Sequence, residues 1–499
     1  MLIIKPDIEY AVIDAETTNI EDGEIPKTLF WGYADAQGYK DFKTSAKLCK
    51  FLRTRSPKVL LHHSNFDIIQ LLVDGETDIN ILRSHGGKII RSAYYQHTLQ
   101  NTLTVFPTKL EKIFNAFGYK KTSLRNLAKR NYEDCVNGLD CFLKLDALIF
   151  DLIGIHPLQA GTVAGTTFRA AEKHAGKMPK DLRFKDAYRG GRVEVFDTRE
   201  HAKVNRYDIH SSYPASFIEA KPQEELWKIK VKTKDWYCPF FDGNNFDMLL
   251  FPNGEFSSWV FKSNFERYLE PNFERTKIKI ISRHKLDFSW ICMLKSLVEK
   301  LYELKANSKD EGIKTSTKFL LNAFYGRIGL SGKSERVRIM EESDLPDGED
   351  VTSFRLSHKR WICFDTVERE PRSNFAFSAF ITDNARSRLF ESFVQNRAIY
   401  GDTDSTFTLF HRNKFRSTIG NNLGEWGFEG CKRFCARNVK DYEFGEEEFR
   451  KGGSEHTLWN LRQFAEGKTA QRVLRERKTS LRKRLVLPNG ETEPLTVNS

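Results

Sequence analysis

The 499-residue chain contains no apolar run long enough to cross a membrane. It has no CxxC pair, no paired histidine spacing, no internal repeat and no low-complexity tract. Its eight cysteines are scattered at positions 49, 135, 141, 238, 292, 363, 431 and 435. Cys431 and Cys435 are the nearest pair, and their i, i+4 spacing suits one face of a helix better than a zinc ion. The opening Met1-Leu2-Ile3-Ile4-Lys5-Pro6 is too short for a signal peptide. These absences argue against a disulfide scaffold, a zinc module and a membrane protein, and lead to the expectation of reduced thiols and a cytoplasmic location.

What is present is size, aromatic content and positive charge. A chain of this length can bury more than one core, so two or more domains are expected. There are 39 Phe and 16 Tyr, and 79 Lys and Arg against 67 Asp and Glu give a net charge of +12. That balance points toward a polyanionic partner.

The most informative stretch is Tyr400-Gly401-Asp402-Thr403-Asp404-Ser405, between the apolar Ala398-Ile399 and the alternating Thr406 to Phe410. It reads as strand, tight turn, strand. Residues two apart on a strand share a face, so Asp402 and Asp404 can approach one cation. Paired carboxylates suit Mg2+; taken alone, they also suit an ordinary acidic turn.

Other acids end apolar segments. Ile8 to Ile13 leads into Asp14-Ala15-Glu16-Thr17. Val59-Leu60-Leu61 leads into His62-His63-Ser64-Asn65-Phe66-Asp67, and a helix is expected over Ile68 to Val73. Phe142-Leu143-Lys144-Leu145-Asp146 opens an apolar helix over Ala147 to Ile155. Four carboxylates gathered from such junctions could hold two divalent ions for attack of water on a phosphodiester. Strand-end and helix-cap acids are the plain alternative for each. Arg206-Tyr207-Asp208-Ile209-His210-Ser211-Ser212-Tyr213-Pro214 ends another short strand. Ile313 to Tyr325 lacks Pro and Gly and reads as a helix, with Lys318, Asn322 and Tyr325 on one face.

The order of these motifs resembles family B DNA polymerases. Asp14-x-Glu16-Thr17, Phe66-Asp67 and Phe142-x3-Asp146 resemble their 3′–5′ exonuclease domain. The resemblance implies Asp14, Glu16, Asp67 and Asp146 as metal ligands, with Thr17, His63 and Phe66 near a single-stranded DNA end. Two positions depart from the pattern: Phe142 stands where Tyr is usual, and His63 where Asn is usual. Attenuated proofreading is therefore expected. Asp208-x-x-Ser211-x-Tyr213-Pro214, then Lys318…Asn322…Tyr325-Gly326, then Asp402-Thr403-Asp404-Ser405 resemble the three polymerase motifs in order.

From that resemblance follow the implied roles. Asp208 and Asp404 would hold two Mg2+ ions (Mn2+ as an alternative), with Asp402 alongside and the Ile209 carbonyl as helper. One metal would activate the primer 3′-hydroxyl and the other neutralise the triphosphate. Lys318 would bind the dNTP triphosphate, Tyr213 exclude a ribose 2′-hydroxyl, and Tyr325 pack on the nascent base pair. Asn322 and Gly326 would shape the pocket.

Tyr188-Arg189-Gly190-Gly191 resembles the template-coordinating motif of the protein-primed branch, and Lys440-Asp441-Tyr442 its primer-steadying motif. Two extra segments match that branch's insertions by place and size. The resemblance thus implies an α/β, ribonuclease-H-like exonuclease domain over 1–185 and an α+β right-hand polymerase domain over 186–499. Within the latter, palm would occupy 186–221 and 373–445, the first insertion 222–285, fingers 286–330, the second insertion 331–372 and a small thumb 446–499. Expected partners are primer-template DNA, dNTPs and a terminal protein as primer, with the chain a monomer of viral or mobile-element origin. Phosphate contacts are expected from the basic tail, Arg472, Arg475, Arg477, Lys478, Arg482, Lys483 and Arg484. A DNA-primed or primer-independent family B enzyme, a catalytically silent DNA-binding scaffold and a protein that is chiefly a nuclease remain as alternatives.

Overall fold

Ala11, Val12 and Ile13 are apolar in succession because their strand, Tyr10–Thr17, is covered on both faces. This strand lies inside a seven-stranded sheet. The order is Gly38–Phe42, Thr28–Asp35, Tyr10–Thr17, Val59–His62, His97–Asn101, Lys88–Tyr94, Ile79–His85. Tyr10–Thr17 runs parallel to Val59–His62, and that strand parallel to His97–Asn101. The computed structural model describes residues 8–18, 27–63, 65–75, 78–85, 88–120, 126–244, 249–330, 333–341, 351–355, 360–368, 371–445, 448–450, 484–486 and 492–494. The chain divides into two compact units, Met1–His174 with Lys300–Arg372, and Ala175–Glu299 with Ser373–Ser499.

In the first unit the sheet packs on the helix Leu127–Ile153, capped by the Asn126 side chain and ended by Gly154 at φ 67°. The helix begins twenty residues before the one expected from sequence, at Leu127 rather than Ala147. Its first half hides polar and small side chains (Asn131, Asp134, Gly138), so hydrophobic periodicity does not reveal it. The helix Asn65–Val73 covers the same core. Glu311–Ala323 is the expected helix of the Lys318 motif, with Asp310 accepting from the Ile313 N–H at 2.9 Å. Phe319 meets Phe106 with ring centroids 6.4 Å apart. A three-stranded sheet, Lys333–Glu341, Arg360–Glu368, Val351–Arg355, includes the expected strands near 354 and 361. Its Ile362 and Val337 pack against the core of the seven-stranded sheet.

The second unit is built on another seven-stranded sheet. Its order is Glu448–Arg450, Asp441–Phe444, Trp426–Asn438, His201–Ile209, Ser405–Thr408, Ala398–Asp402, Val193–Val195. The helix Phe375–Asn396 is buried nearly all round, which explains its lack of a polar stripe. A separate sheet, Gly254–Phe261, Gln223–Thr233, Thr276–Asp287, falls where the first insertion was expected. Of the basic tail, Arg472, Arg475, Arg477, Lys478, Arg482 and Lys483 lie outside the described residues; Arg484 begins a short strand paired with Thr492–Pro494.

Candidate functional site

The acidic hairpin of the second unit forms as expected, but its turn is tighter than an alternating strand. Asp402 ends one strand, Ser405 begins the next, and the two residues are paired. The Asp404 N–H donates to the Asp402 carbonyl at 2.6 Å, around Thr403 at φ 61°. A β-branched residue in the left-handed region, closed by an i→i+2 bond, is strained and must be held from outside. The Thr403 N–H donates to the Arg192 carbonyl at 2.7 Å, and Thr403 Oγ1 to Asp402 Oδ1 at 2.9 Å. Asp208 pairs with Ser405 on the neighbouring strand, and the Ile209 N–H donates to the Asp404 carbonyl at 2.8 Å.

Electrostatics tie these acids together. Burial, then the Asp404 charge, push the Asp208 carboxyl up to about 7; burial, then Asp402, push Asp404 up to about 6. Lys440 Nζ donates to both Asp402 oxygens, at 2.8 and 3.1 Å. Lys440 is itself at φ 54°, with its N–H donated to the Tyr400 hydroxyl at 2.9 Å. Tyr442 is buried, its ring 5.0 Å from that of Tyr400. Among the described residues no three acidic, His or Cys groups are arranged to hold a metal by themselves. Two mutually repelling carboxyls nonetheless suit Mg2+, which takes one or two carboxylates and completes its shell with water and phosphate oxygens.

The Tyr188 to Gly191 segment lies against this hairpin. A Cβ on Gly191 would sit 2.8 Å from Thr403 Cγ2 and 2.9 Å from the Tyr213 hydroxyl, so a side chain there would force one of these groups to shift. Gly190 is exposed, and Tyr188 lies near Phe375 with centroids 6.1 Å apart. Two arginines whose structural roles the sequence did not reveal hold the segment. Arg386 Nη1 donates to the carbonyls of Arg189 and Gly190 at 2.7 and 2.9 Å, and its Nη2 lies 3.5 Å from Asp383. Arg192 is fully buried against Glu194, with its guanidinium 3.9 Å from the Phe251 centroid. An arginine amid the apolar and small residues of Phe375–Asn396 was the available signal.

The acids of the first unit fall into two groups. Asp14 accepts from Asn131 Nδ2 at 2.8 Å, and Asp67 Oδ1 from the Ala15 N–H at 3.1 Å. Asp14, Asp134, Asp67 and Glu16 all act on buried Cys135, whose thiol is pushed up first by burial and then by them. Asp146, also buried, accepts from the Leu158 N–H at 2.8 Å and pairs with His156 Nδ1 at 2.7 Å. Burial raises its carboxyl against both bonds. The two departures from the family pattern are neighbours: the His63 ring stacks on Phe142 with centroids 5.9 Å apart. His63 also bonds Thr102 Oγ1 and the Thr108 carbonyl, at 3.0 and 3.1 Å. Phe66 packs on the sheet core, and Thr17 Oγ1 donates to the Thr18 carbonyl at 3.0 Å.

The helix Glu311–Ala323 keeps Lys318 and Asn322 exposed while Phe319, Leu320 and Leu321 are buried. Tyr325 and Gly326 follow its end, Tyr325 half-buried and Gly326 exposed. This motif belongs to the first unit and the acidic hairpin to the second.

Residues 167–369 match the family described as DNA polymerase type B, organellar and viral. The DNA-directed DNA polymerase of Enterobacteria phage PRD1 is 22% identical over 466 residues, covering 85% of this chain and 81% of the phage protein. A probable DNA polymerase of Podospora anserina is 33% identical over 166 residues, 30% of this chain but only 13% of that protein's length. The fold is similar to Phi29 DNA polymerase complexed with primer-template DNA and incoming nucleotide. That match has a TM-score of 0.67 at 17% identity and covers 91% of this chain and 95% of the other. Phi29 DNA polymerase complexed with single-stranded DNA gives a TM-score of 0.65 over the same shares. The chain has the family B polymerase fold, and its residues 167–369 align with the organellar and viral group of type B DNA polymerases.

Proposed function

We propose that this chain copies a DNA template, begins synthesis on the hydroxyl of a terminal protein, displaces the strand ahead of it and carries an attenuated 3′–5′ exonuclease. The observation that carries the polymerase reading is the Asp208–Asp404 pair, part-buried and mutually repelling, with Asp208 near the end of its strand and Asp404 in the strained turn of the neighbouring hairpin. Bound divalent ions there would lower the pKa of the primer hydroxyl and neutralise the triphosphate. The chain's own residues do the rest. Tyr213, its hydroxyl beside Gly191, limits the space at the sugar. Lys440 holds Asp402 and so steadies the hairpin. Lys318, exposed on its helix, offers a point charge to phosphate, with Asn322, Tyr325 and Gly326 around the nascent pair. Tyr188, Gly190 and Gly191 approach the template backbone, and Tyr442 supports the primer side.

In this reading the layout is an exonuclease domain over 1–185 and a right-hand polymerase over 186–499, with palm, fingers, two insertions and thumb as set out above. Asp14, Glu16, Asp67 and Asp146 serve the exonuclease, with Thr17, His63 and Phe66 along the strand end. The packing of His63 on Phe142 supports attenuation, because both positions are committed to a stacked, hydrogen-bonded arrangement. The partners are primer-template DNA, dNTPs and a terminal protein, with Mg2+ as metal and the host cytoplasm as the setting.

The test is incubation of the purified chain with Mg2+ and a singly primed circular template, with and without dNTPs. Products longer than one circle support a strand-displacing polymerase, and shortening without dNTPs supports the exonuclease. Bound DNA with no extension, even after a terminal protein is supplied, would sink the polymerase reading.

A further inference from the structure

Asn131 is an amide in a place where burial is costly unless every polar atom is satisfied. It is fully buried on the helix Leu127–Ile153. Its Nδ2 donates to Asp14 Oδ2 at 2.8 Å and to the Asp14 carbonyl at 3.2 Å. A carboxylate and a carbonyl only accept, so the amide nitrogen must be the end that faces Asp14. The other end is held as well: the Tyr39 hydroxyl donates to Asn131 Oδ1 at 2.9 Å. Burial, then the acids and the thiol around it, hold the Tyr39 hydroxyl above its ordinary range, so it remains a donor. The amide therefore cannot flip without losing bonds at both ends.

The backbone has been shaped to admit this arrangement. Gly32 pairs with Asp14 across adjacent strands, and a Cβ there would lie 1.9 Å from Asn131 Oδ1. Asp146 on the same helix is engaged by Leu158 and His156. It is Asn131 that the helix brings to Asp14.

We infer that Asn131, clamped by Tyr39, is a positioning residue for Asp14, fixing the carboxylate in one rotamer for the divalent ion of the proposed exonuclease. The inference rests on that reading of the Asp14 cluster. Groups that bond to a metal ligand orient it and set its affinity, and their loss typically weakens binding by about ten- to a hundredfold. A purely structural role for Asn131 would lower melting temperature and leave the affinity of the folded protein unchanged.

The experiment uses the full-length chain carrying Asp404→Asn, to silence the Asp208–Asp404 pair. Mn2+ binding is followed by electron paramagnetic resonance, and hydrolysis of a labelled single-stranded oligonucleotide is followed against metal concentration. Asn131→Ala is expected to weaken Mn2+ binding by about tenfold or more. It should raise the metal concentration for half-maximal hydrolysis by the same factor. Tyr39→Phe removes one hydroxyl with little change in packing and should shift both quantities in the same direction by less. If Asn131→Ala does not fold, Tyr39→Phe decides. Unchanged Mn2+ affinity in the folded variants overturns the inference. A parent chain that binds Mn2+ but cuts nothing fails the exonuclease reading instead, and the affinity comparison still decides the role of Asn131.

Discussion

Asp208 and Asp404 are held close to neutrality by burial and by neighbouring acids, which has a consequence for stability as well as for chemistry. Both carboxyls are raised in the folded state, Asp208 to about 7 and Asp404 to about 6. A raised carboxyl favours the fold while protonated, and that contribution disappears as pH climbs through the folded-state pKa. In the absence of divalent metal, melting temperature should fall between pH 4 and pH 7, and saturating Mg2+ should flatten the decline. Melting curves with and without Mg2+ across that window check this; a metal-independent profile would remove Mg2+ from the site. Asp404→Asn removes one of the repelling charges, so it should abolish primer extension while melting at the parent temperature or above it. Extension at parental rate by that variant would refute its catalytic role. The acidic hairpin was legible as a local Asp-x-Asp pattern between two apolar strands, whereas its functional reading depended on the order of distant motifs from Asp208 to Ser405. The strain at Thr403 and the clasp of Lys440 on Asp402 were not, since each depends on partners dozens or hundreds of residues away.

At the scale of elements, the contact between the Ala398–Asp402 strand and the Phe375–Asn396 helix sets the position of the acidic hairpin. A Cβ on Gly401 would fall 2.1 Å from the Phe393 ring, inside any allowed contact. Gly401→Ala should therefore push strand from helix and cost about 1–3 kcal/mol. Denaturant melts would measure it, and extension should fall with it because Asp402 is the next residue. Full stability and activity in that variant would show that the ring can move aside. The Lys318 helix was readable from its lack of Pro and Gly and from the spacing of Lys318 and Asn322. The first half of Leu127–Ile153 was not, because its inward face carries Asn131 and Asp134 where a core helix usually carries Leu or Ile. A polar inward face is what a site requires and what a hydrophobic pattern cannot report.

At the scale of the whole molecule, each compact unit is assembled from two separate stretches of chain. The first combines residues up to His174 with Lys300–Arg372; the second combines Ala175–Glu299 with Ser373 onward. Sequence motifs ordered the expected functions along the chain but gave no sign of this interleaving, because the packing of Val337 and Ile362 on the first sheet is a long-range contact. The interleaving has a bearing on biosynthesis. A ribosome delivers the first sheet early, yet the strands that pack against its core emerge more than one hundred and fifty residues later. Until then the nascent chain must carry apolar surface uncovered, which is the condition under which folding intermediates aggregate. A fragment ending at residue 174 should consequently be poorly soluble alone and recover when the 300–372 segment is supplied on a second chain. Light scattering and co-purification would read both effects, and a monomeric, fully soluble fragment would show that the early sheet closes by itself. For a cell making this protein, the hazard lies in the pause between two halves of one core, and slower translation would lengthen that pause.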